Sequence, residues 1–253
     1  MTAIRATIES GTTRFFIHFV YETAPGNRKY RILMQPDAAR TIYTSRFYRY
    51  LRGLRMMDEK IQTVQNHIRE VFSQPGSHGL DHVLRVVYLC EMIGKEEGAD
   101  MRVLLPAAYF HDIARPVEED TGVPHEEAGA QMAERYLRSI RYDEEYISGI
   151  THAIRAHRFS SGKEPETLEA RVLSDADKLD AMGAVGIART FIRAGEHRGE
   201  IRDAVDHMHK KLLNLNVLMY TKTAKRLAED RHRFLHLFLK TLLEETSPPG
   251  NQP

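Results

Sequence analysis

Residues 104–115 read LLPAAYFHDIAR, and this stretch decides the fold. From Leu104 to Phe110 it is apolar on every side, a pattern that a helix carries when it is buried all round. His111 and Asp112 then stand at the end of that run. A carboxylate at the edge of a core segment is costly unless it is paired or coordinates a cation. Neighbouring helical positions differ by ~100° in direction, so the two side chains converge only on something beyond the helix end or across its flank. Their remaining partners must come from other helices. Pro106 has to sit early in the helix or kink it.

Working outward, the helical period near 3.6 continues on both sides. Residues 58–72 carry Ile61, Val64, Ile68 and Val71 on one stripe, and Pro75-Gly76-Ser77 stops them. Ser77 is a candidate N-cap for the next helix. That helix runs to about residue 97, with Val83, Val86, Val87, Cys90 and Ile93 on its core face and Gly98 as its stop. A helix is expected over 101–113, and others near 126–139, 143–157, 166–182, 184–194, 204–218 and 221–244. The expected fold class is all-α, with a helical domain over 58–246 and a disordered tail over 247–253.

The segment before it differs in kind. Residues 1–57 hold ten basic and three acidic residues, a net +7 against −6 for the remainder, and nine of the 21 Phe and Tyr residues. Residues 13–22 and 30–34 read as β-rich pieces around the turn Ala24-Pro25-Gly26-Asn27. An arginine-rich segment of this kind could be a targeting extension or a nucleic-acid-facing arm. An appended, β-containing or irregular N-terminal extension is the simpler expectation.

Composition excludes several classes. The chain of 253 residues balances 36 Lys and Arg against 35 Asp and Glu, with one Cys and no Trp. The near-neutral sum argues against a dedicated nucleic-acid binder. A lone Cys90 excludes a disulfide framework and fits a reducing compartment, so a cytoplasmic location is expected. No run approaches the ~18–20 apolar residues of a membrane span. Patterns for a P-loop, CxxC, HExxH or GxSxG are absent, which removes the common redox, zincin, serine-hydrolase and loop-cradled phosphate readings.

Thirteen histidines remain to be placed. His82 lies at the border of an apolar helical face, so its ring can point inward with His111. The segment RVLSDADKLDAMGAVG (171–186) sets Asp175, Asp177 and Asp180 among Val172, Leu173, Leu179 and Met182. Carboxylates crowded into an apolar helix need a counter-charge. Two imidazoles and two carboxylates would make a mixed nitrogen and oxygen shell with room for water. Such a shell suits a divalent ion, Mn first, with Mg, Co, Fe, Zn or Ni as alternatives.

The order H…HD…D resembles the HD-domain superfamily of metal-dependent phosphohydrolases. Five blocks carry the likeness: HGLDHVLRVVYL (78–89), HDIAR (111–115), AIRAHRFSS (153–161), ETLEARVLSDADKLDAMGAVGIAR (166–189) and RLAEDRHRFLHLFL (226–239). They look like the small stand-alone bacterial HD hydrolases, some of which are manganese-dependent nucleotide pyrophosphohydrolases. The resemblance covers about residues 58–245.

It implies an HD-type helical bundle and metal ligation by His82, His111, Asp112 and Asp177, the last because it directly precedes a basic residue. Lys178 would face the phosphate chain; on charge alone Asp112, or an acid near the metal such as Asp81, could steer the attacking water. Arg85, His125, His152 and His157 are the further candidates for substrate contact, while Arg115 and Arg158 read as exposed. Ala114 stands where HDIG-type members carry Gly, and no GYP block follows, which disfavours a cyclic dinucleotide specialist.

The implied activity is hydrolysis of a nucleotide or related phosphate, as a (deoxy)nucleoside triphosphate pyrophosphohydrolase or nucleotidase. The alternatives are a regulatory HD module that senses a phosphorylated ligand, or a phosphodiesterase. The expected partner is a small phosphate-bearing molecule; neither membrane nor nucleic acid is expected. The long helix at 221–244 could pack on its own bundle or on a second copy of the chain.

Overall fold

A computed structural model describes residues 2–10, 13–24, 27–33, 46–72, 79–158 and 162–246, with side chains within these ranges from Glu59 onward. Ser77 and the tail over 247–253 lie outside the described residues. The chain divides into two compact units, Met1–Asp58 and Glu59–Pro253.

The first unit contains a three-stranded antiparallel sheet of β1 (Thr2–Ser10), β2 (Thr13–Ala24) and β3 (Asn27–Leu33) in the order β1-β2-β3. The register pairs Ser10 with Thr13 and Ala24 with Asn27. β2 and β3 cover the two β-rich pieces expected. β1 was not expected, although Ile4, Ala6 and Ile8 alternate with Arg5, Thr7 and Glu9 in a period of two. Helix α1 (Arg46–Val71) starts well before residue 58. Its early turns carry Phe47, Leu51, Leu54 and Met57 at spacings of three and four, in line with Ile61, Val64 and Ile68, so the helical period extends further back than residue 58.

The described residues of the second unit form only helices and 3₁₀ turns. They comprise α1 from Glu59 onward, α2 (Leu80–Glu97), α3 (Met101–Phe110), α4 (Arg115–Thr121), α5 (His125–Ser139), α6 (Glu144–Ala156), α7 (Leu168–Asp180), α8 (Gly183–Glu196), α9 (Ile201–Lys210) and α10 (Lys222–Thr246). α3 is the centre, packed against α2, α6 and α7. Leu104, Ala107, Ala108 and Phe110 have no exposed surface. Burying a side chain of the size of Leu104 or Phe110 contributes ~1.5–3 kcal/mol.

Pro106 lies inside α3 without breaking it. Its missing N–H leaves the Arg102 carbonyl without the usual partner four residues on. The Tyr142 hydroxyl donates to that carbonyl at 2.7 Å.

Two expectations need correction. The helix expected over 101–113 ends at Phe110, and residues 111–114 form a tight turn into the short α4. Pro116 near its start and Gly122 at its end were the available signals. The helix expected over 204–218 stops at Lys210 and passes into 3₁₀ turns at Leu212–Asn214 and Asn216–Leu218. There the Asn214 side-chain amide donates to the Lys210 carbonyl at 3.2 Å, and its backbone N–H goes instead to Lys211. A short polar side chain has competed for the bond that would extend the helix.

Candidate metal centre

The helical wheel separates the three aspartates of α7. At ~100° per residue, Asp177 and Asp180 differ by ~60° and share a face, whereas Asp175 points nearly opposite. Asp175 accepts the Tyr220 N–H at 2.9 Å, the Thr221 N–H at 2.8 Å and the Thr221 hydroxyl at 2.8 Å. It fastens the start of α10. Asp177 and Asp180 turn the other way, toward His82.

His82 is fully buried on α2, and its Nδ1 lies 2.7 Å from Asp180 Oδ2. His111, equally buried, has Nδ1 2.7 Å from the Ala108 carbonyl oxygen. Both oxygens only accept, so each Nδ1 carries the proton and each Nε2 is left with its lone pair. The two Nε2 atoms face one another at 3.2 Å. Asp112 Oδ2 stands 3.4 Å and Asp177 Oδ1 3.5 Å from His82 Nε2, and Asp112 Oδ2 is 3.8 Å from His111 Nε2.

This donor set calls for one positive charge at its middle. Burial alone would lower the His82 pKa, but the carboxylates of Asp112 and Asp180 outweigh it and raise it. Burial pushes His111 down to about 3. Asp112 and Asp177 are held below the usual carboxylate range despite burial, Asp112 chiefly by His111 and Arg115, Asp177 by His82 and His111. At ligand distances near 2.1 Å, adjacent donors on one ion stand roughly 3–4 Å apart. The spacings given lie in that range, and His82, His111 and Asp177 form one group able to hold a cation, with Asp112 Oδ2 beside both imidazoles.

The pattern repeats on the other oxygen of Asp112. His157 Nδ1 lies 2.6 Å from the Ile154 carbonyl, and His125 Nδ1 lies 2.7 Å from Glu118 Oε2. Their Nε2 atoms face each other at 3.4 Å and stand 3.7 and 3.3 Å from Asp112 Oδ1. Asp112, His125 and His157 thus form a second group able to hold a cation. Arg115 Nε donates to Asp112 Oδ1 at 2.9 Å. Burying an unsupported Asp112 would cost several kcal/mol; these neighbours remove that cost.

Asp180 is the support that sequence reading missed. Besides His82, it accepts from Arg85 at 2.7 and 3.2 Å and from Arg189 at 2.7 Å. Arg189 reaches back because the chain reverses directly after α7. Gly183 takes φ +69°, and a Cβ on Gly186 would collide with the Ala181 carbonyl.

Other candidates stand apart from their expected roles. Arg85 is taken up by Asp180 and, at 2.7 Å, by Asp81, so it buttresses the centre and does not line the adjoining cavity. His152 accepts the Glu166 N–H at 3.1 Å beside a separate shallow hollow. Lys178 is buried and donates to Ser174 Oγ at 2.8 Å above the Tyr220 ring. Arg115 and Arg158 are half-buried ion-pair members, Arg158 reaching Glu118 at 2.7 Å and Glu126 at 3.3 Å. Neither is simply exposed.

A cavity of about 440 Å³ opens beside Asp177. Its wall holds six Lys and Arg residues, Arg115, Arg158, Lys178, Arg189, Arg193 and Lys211, against Asp177 and Asp203. Lys211 and Arg193 were not foreseen, since nothing in their sequence neighbourhood marks them off from surface cations. Among the described residues no helix is long and apolar enough to cross a membrane.

The family model for the HD domain matches residues 79–182. Among curated proteins the chain is similar to YpgQ of Bacillus subtilis, an uncharacterized protein, with 32% identity over 203 residues covering 76% of this chain and 95% of YpgQ. It is 34% identical to ribonuclease Y of Thermoanaerobacter pseudethanolicus over 42% of this chain but only 19% of that enzyme. Among solved structures, YpgQ of Bacillus subtilis in complex with ADP aligns with a TM-score of 0.62 and 30% identity, covering 75% of this chain and 98% of that one. An HD-superfamily hydrolase from Bacillus thuringiensis aligns with a TM-score of 0.60 and 29% identity, covering 75% and 97%.

Proposed function

This chain belongs to the HD-domain family, and from that membership we propose that it is a metal-dependent phosphohydrolase acting on a nucleoside triphosphate, ribo or deoxy, or on a related nucleotide. The observation that carries the reading is the pair of facing imidazole sets on either side of Asp112, beside a cavity walled by cations. The similarity to an HD-superfamily hydrolase supports hydrolysis, and the ADP held by YpgQ supports a nucleotide.

In this reading His82, His111, Asp112 and Asp177 hold one divalent ion, Mn in the first place, and Asp112, His125 and His157 hold a second. A bound ion of this kind lowers the pKa of its water from 15.7 toward ~7 and neutralises phosphoryl oxygens. The chain's own part is positioning. Asp180 and the Ala108 carbonyl orient the two imidazoles through their Nδ1–H groups. Arg115 fixes the rotation of Asp112, which offers one oxygen to each side. The wall cations meet the negative charge of the phosphate chain, where loss of one donor costs on the order of 3–4 kcal/mol. The buried thiol of Cys90 is in keeping with a reducing cytoplasm as the compartment.

The test is a panel of nucleoside mono-, di- and triphosphates and cyclic nucleotides assayed with Mn²⁺, Mg²⁺ and Co²⁺, with the released group identified as phosphate or pyrophosphate. Metal-dependent release from triphosphates is expected. Tight nucleotide binding without release under any metal would instead identify a regulatory module.

A further inference from the structure

Two cations in the wall of the cavity beside the metal centre have no carboxylate bonded to them among the described residues. Arg115 and Arg158 are held by Asp112 and Glu118, Arg189 by Asp180, and Lys178 by Ser174. Arg193 on α8 and Lys211 just past α9 make no side-chain hydrogen bond or ion pair among the described residues. The two carboxylates of the wall are engaged elsewhere. Asp203 accepts the Glu200 N–H at 2.7 Å in the cap of α9, and Asp177 faces His82.

Arg193, Lys211 and His207 line the same cavity. Burial lowers the His207 imidazole, and Lys211 and Arg193 lower it further. Burial also lowers the Lys211 ammonium; Asp177 opposes this, while Arg115, Arg158 and Arg193 add to it. Lys211, Arg193 and Asp177 line the wall of the same cavity. Cations gathered on a concave, low-dielectric wall without counter-ions attract an anion with charge spread along its length.

We propose that Arg193 and Lys211 form a distal anion subsite, which receives the phosphate of a polyphosphate chain that lies farthest from the metal centre. The protein then reads chain length: a triphosphate reaches both ends, and a shorter chain engages only the metal end. This inference rests on the phosphohydrolase reading and adds to it the residues that select the substrate class. Both side chains face the cavity and not the core, so replacing them leaves the bundle intact.

The experiment is isothermal titration of the Mn²⁺-loaded full-length protein with inorganic tripolyphosphate and with pyrophosphate. Wild type is compared with Lys211→Met, Arg193→Met and the charge-conserving Lys211→Arg. Each Met variant is expected to weaken tripolyphosphate binding about tenfold or more, as loss of one charge-assisted bond does, with pyrophosphate binding nearly unchanged. Lys211→Arg should restore most of the loss. Unchanged tripolyphosphate binding, or equal loss for both anions, overturns the subsite. Binding is read without turnover, so the two readings fail separately. Selective loss in a protein that hydrolyses nothing would sink only the hydrolase assignment, and an active hydrolase indifferent to both substitutions would sink only the subsite.

Discussion

Asp180 accepts the Nδ1–H of His82 at 2.7 Å, and through that bond it sets which nitrogen of His82 faces the metal centre. The carboxylate is itself clamped by Arg85 and Arg189, so it cannot rotate away. Its placement explains why a residue outside the proposed ligand set should control metal binding. Replacing it by asparagine keeps the volume and removes the charge. Asp180→Asn should weaken metal affinity by ~10–100-fold, measured by competition against a chelator. An affinity equal to wild type would show that Asp180 serves only the two arginines.

The repeated imidazole geometry predicts two ions per chain. Elemental analysis of the wild type should give two, and His157→Ala or His125→Ala should give one. Asp177→Ala should empty the other position and abolish turnover, with far-ultraviolet circular dichroism retaining its helical signal. One ion in the wild type, with no change on removing His157, would show that the second group is only a hydrogen-bond network. Retained activity in metal-free Asp177→Ala would refute the assignment of Asp177.

Asp175 is expected to matter for stability and not for metal. It accepts three bonds at the start of α10, and removing a buried acceptor leaves donors unsatisfied at ~1–3 kcal/mol each. Asp175→Ala should lower the free energy of unfolding by ~2–4 kcal/mol on that basis, while metal content stays at the wild-type value. A drop in metal content at unchanged stability would mean that the three aspartates of α7 have been sorted wrongly.

Asp100 supplies a pH-dependent contribution remote from the centre. It caps α3 by accepting the Arg102 N–H at 2.9 Å, and the Arg102 side chain holds its carboxyl below the ordinary range. Because the folded pKa is depressed, the stabilisation is complete above the unfolded value near ~3.9 and is lost as pH falls through the folded value. Asp100→Ala should therefore cost ~1 kcal/mol at pH 7. In urea titrations the gap to wild type should narrow below about pH 4. A gap of the same width in acid would assign the cost to packing.

How much of this could be read in advance differs from residue to residue. The apolar run ending in His111-Asp112, the stripe on 58–72 and the order H…HD…D were legible, because helical period and residue type are properties of neighbours in the chain. They determined an all-helical domain of the HD family. What only the tertiary structure decided is the direction of each side chain. His82, Asp112, His157 and Asp177 come from four segments far apart in sequence, and only packing turns their donor atoms toward one another. The division of Asp112 between two imidazole pairs, the release of Arg85 from the substrate side and the gathering of Arg193 with Lys211 depend on contacts between segments that follow no period. Periodicity specifies a face of a helix; which partner that face meets is set by long-range burial of the core.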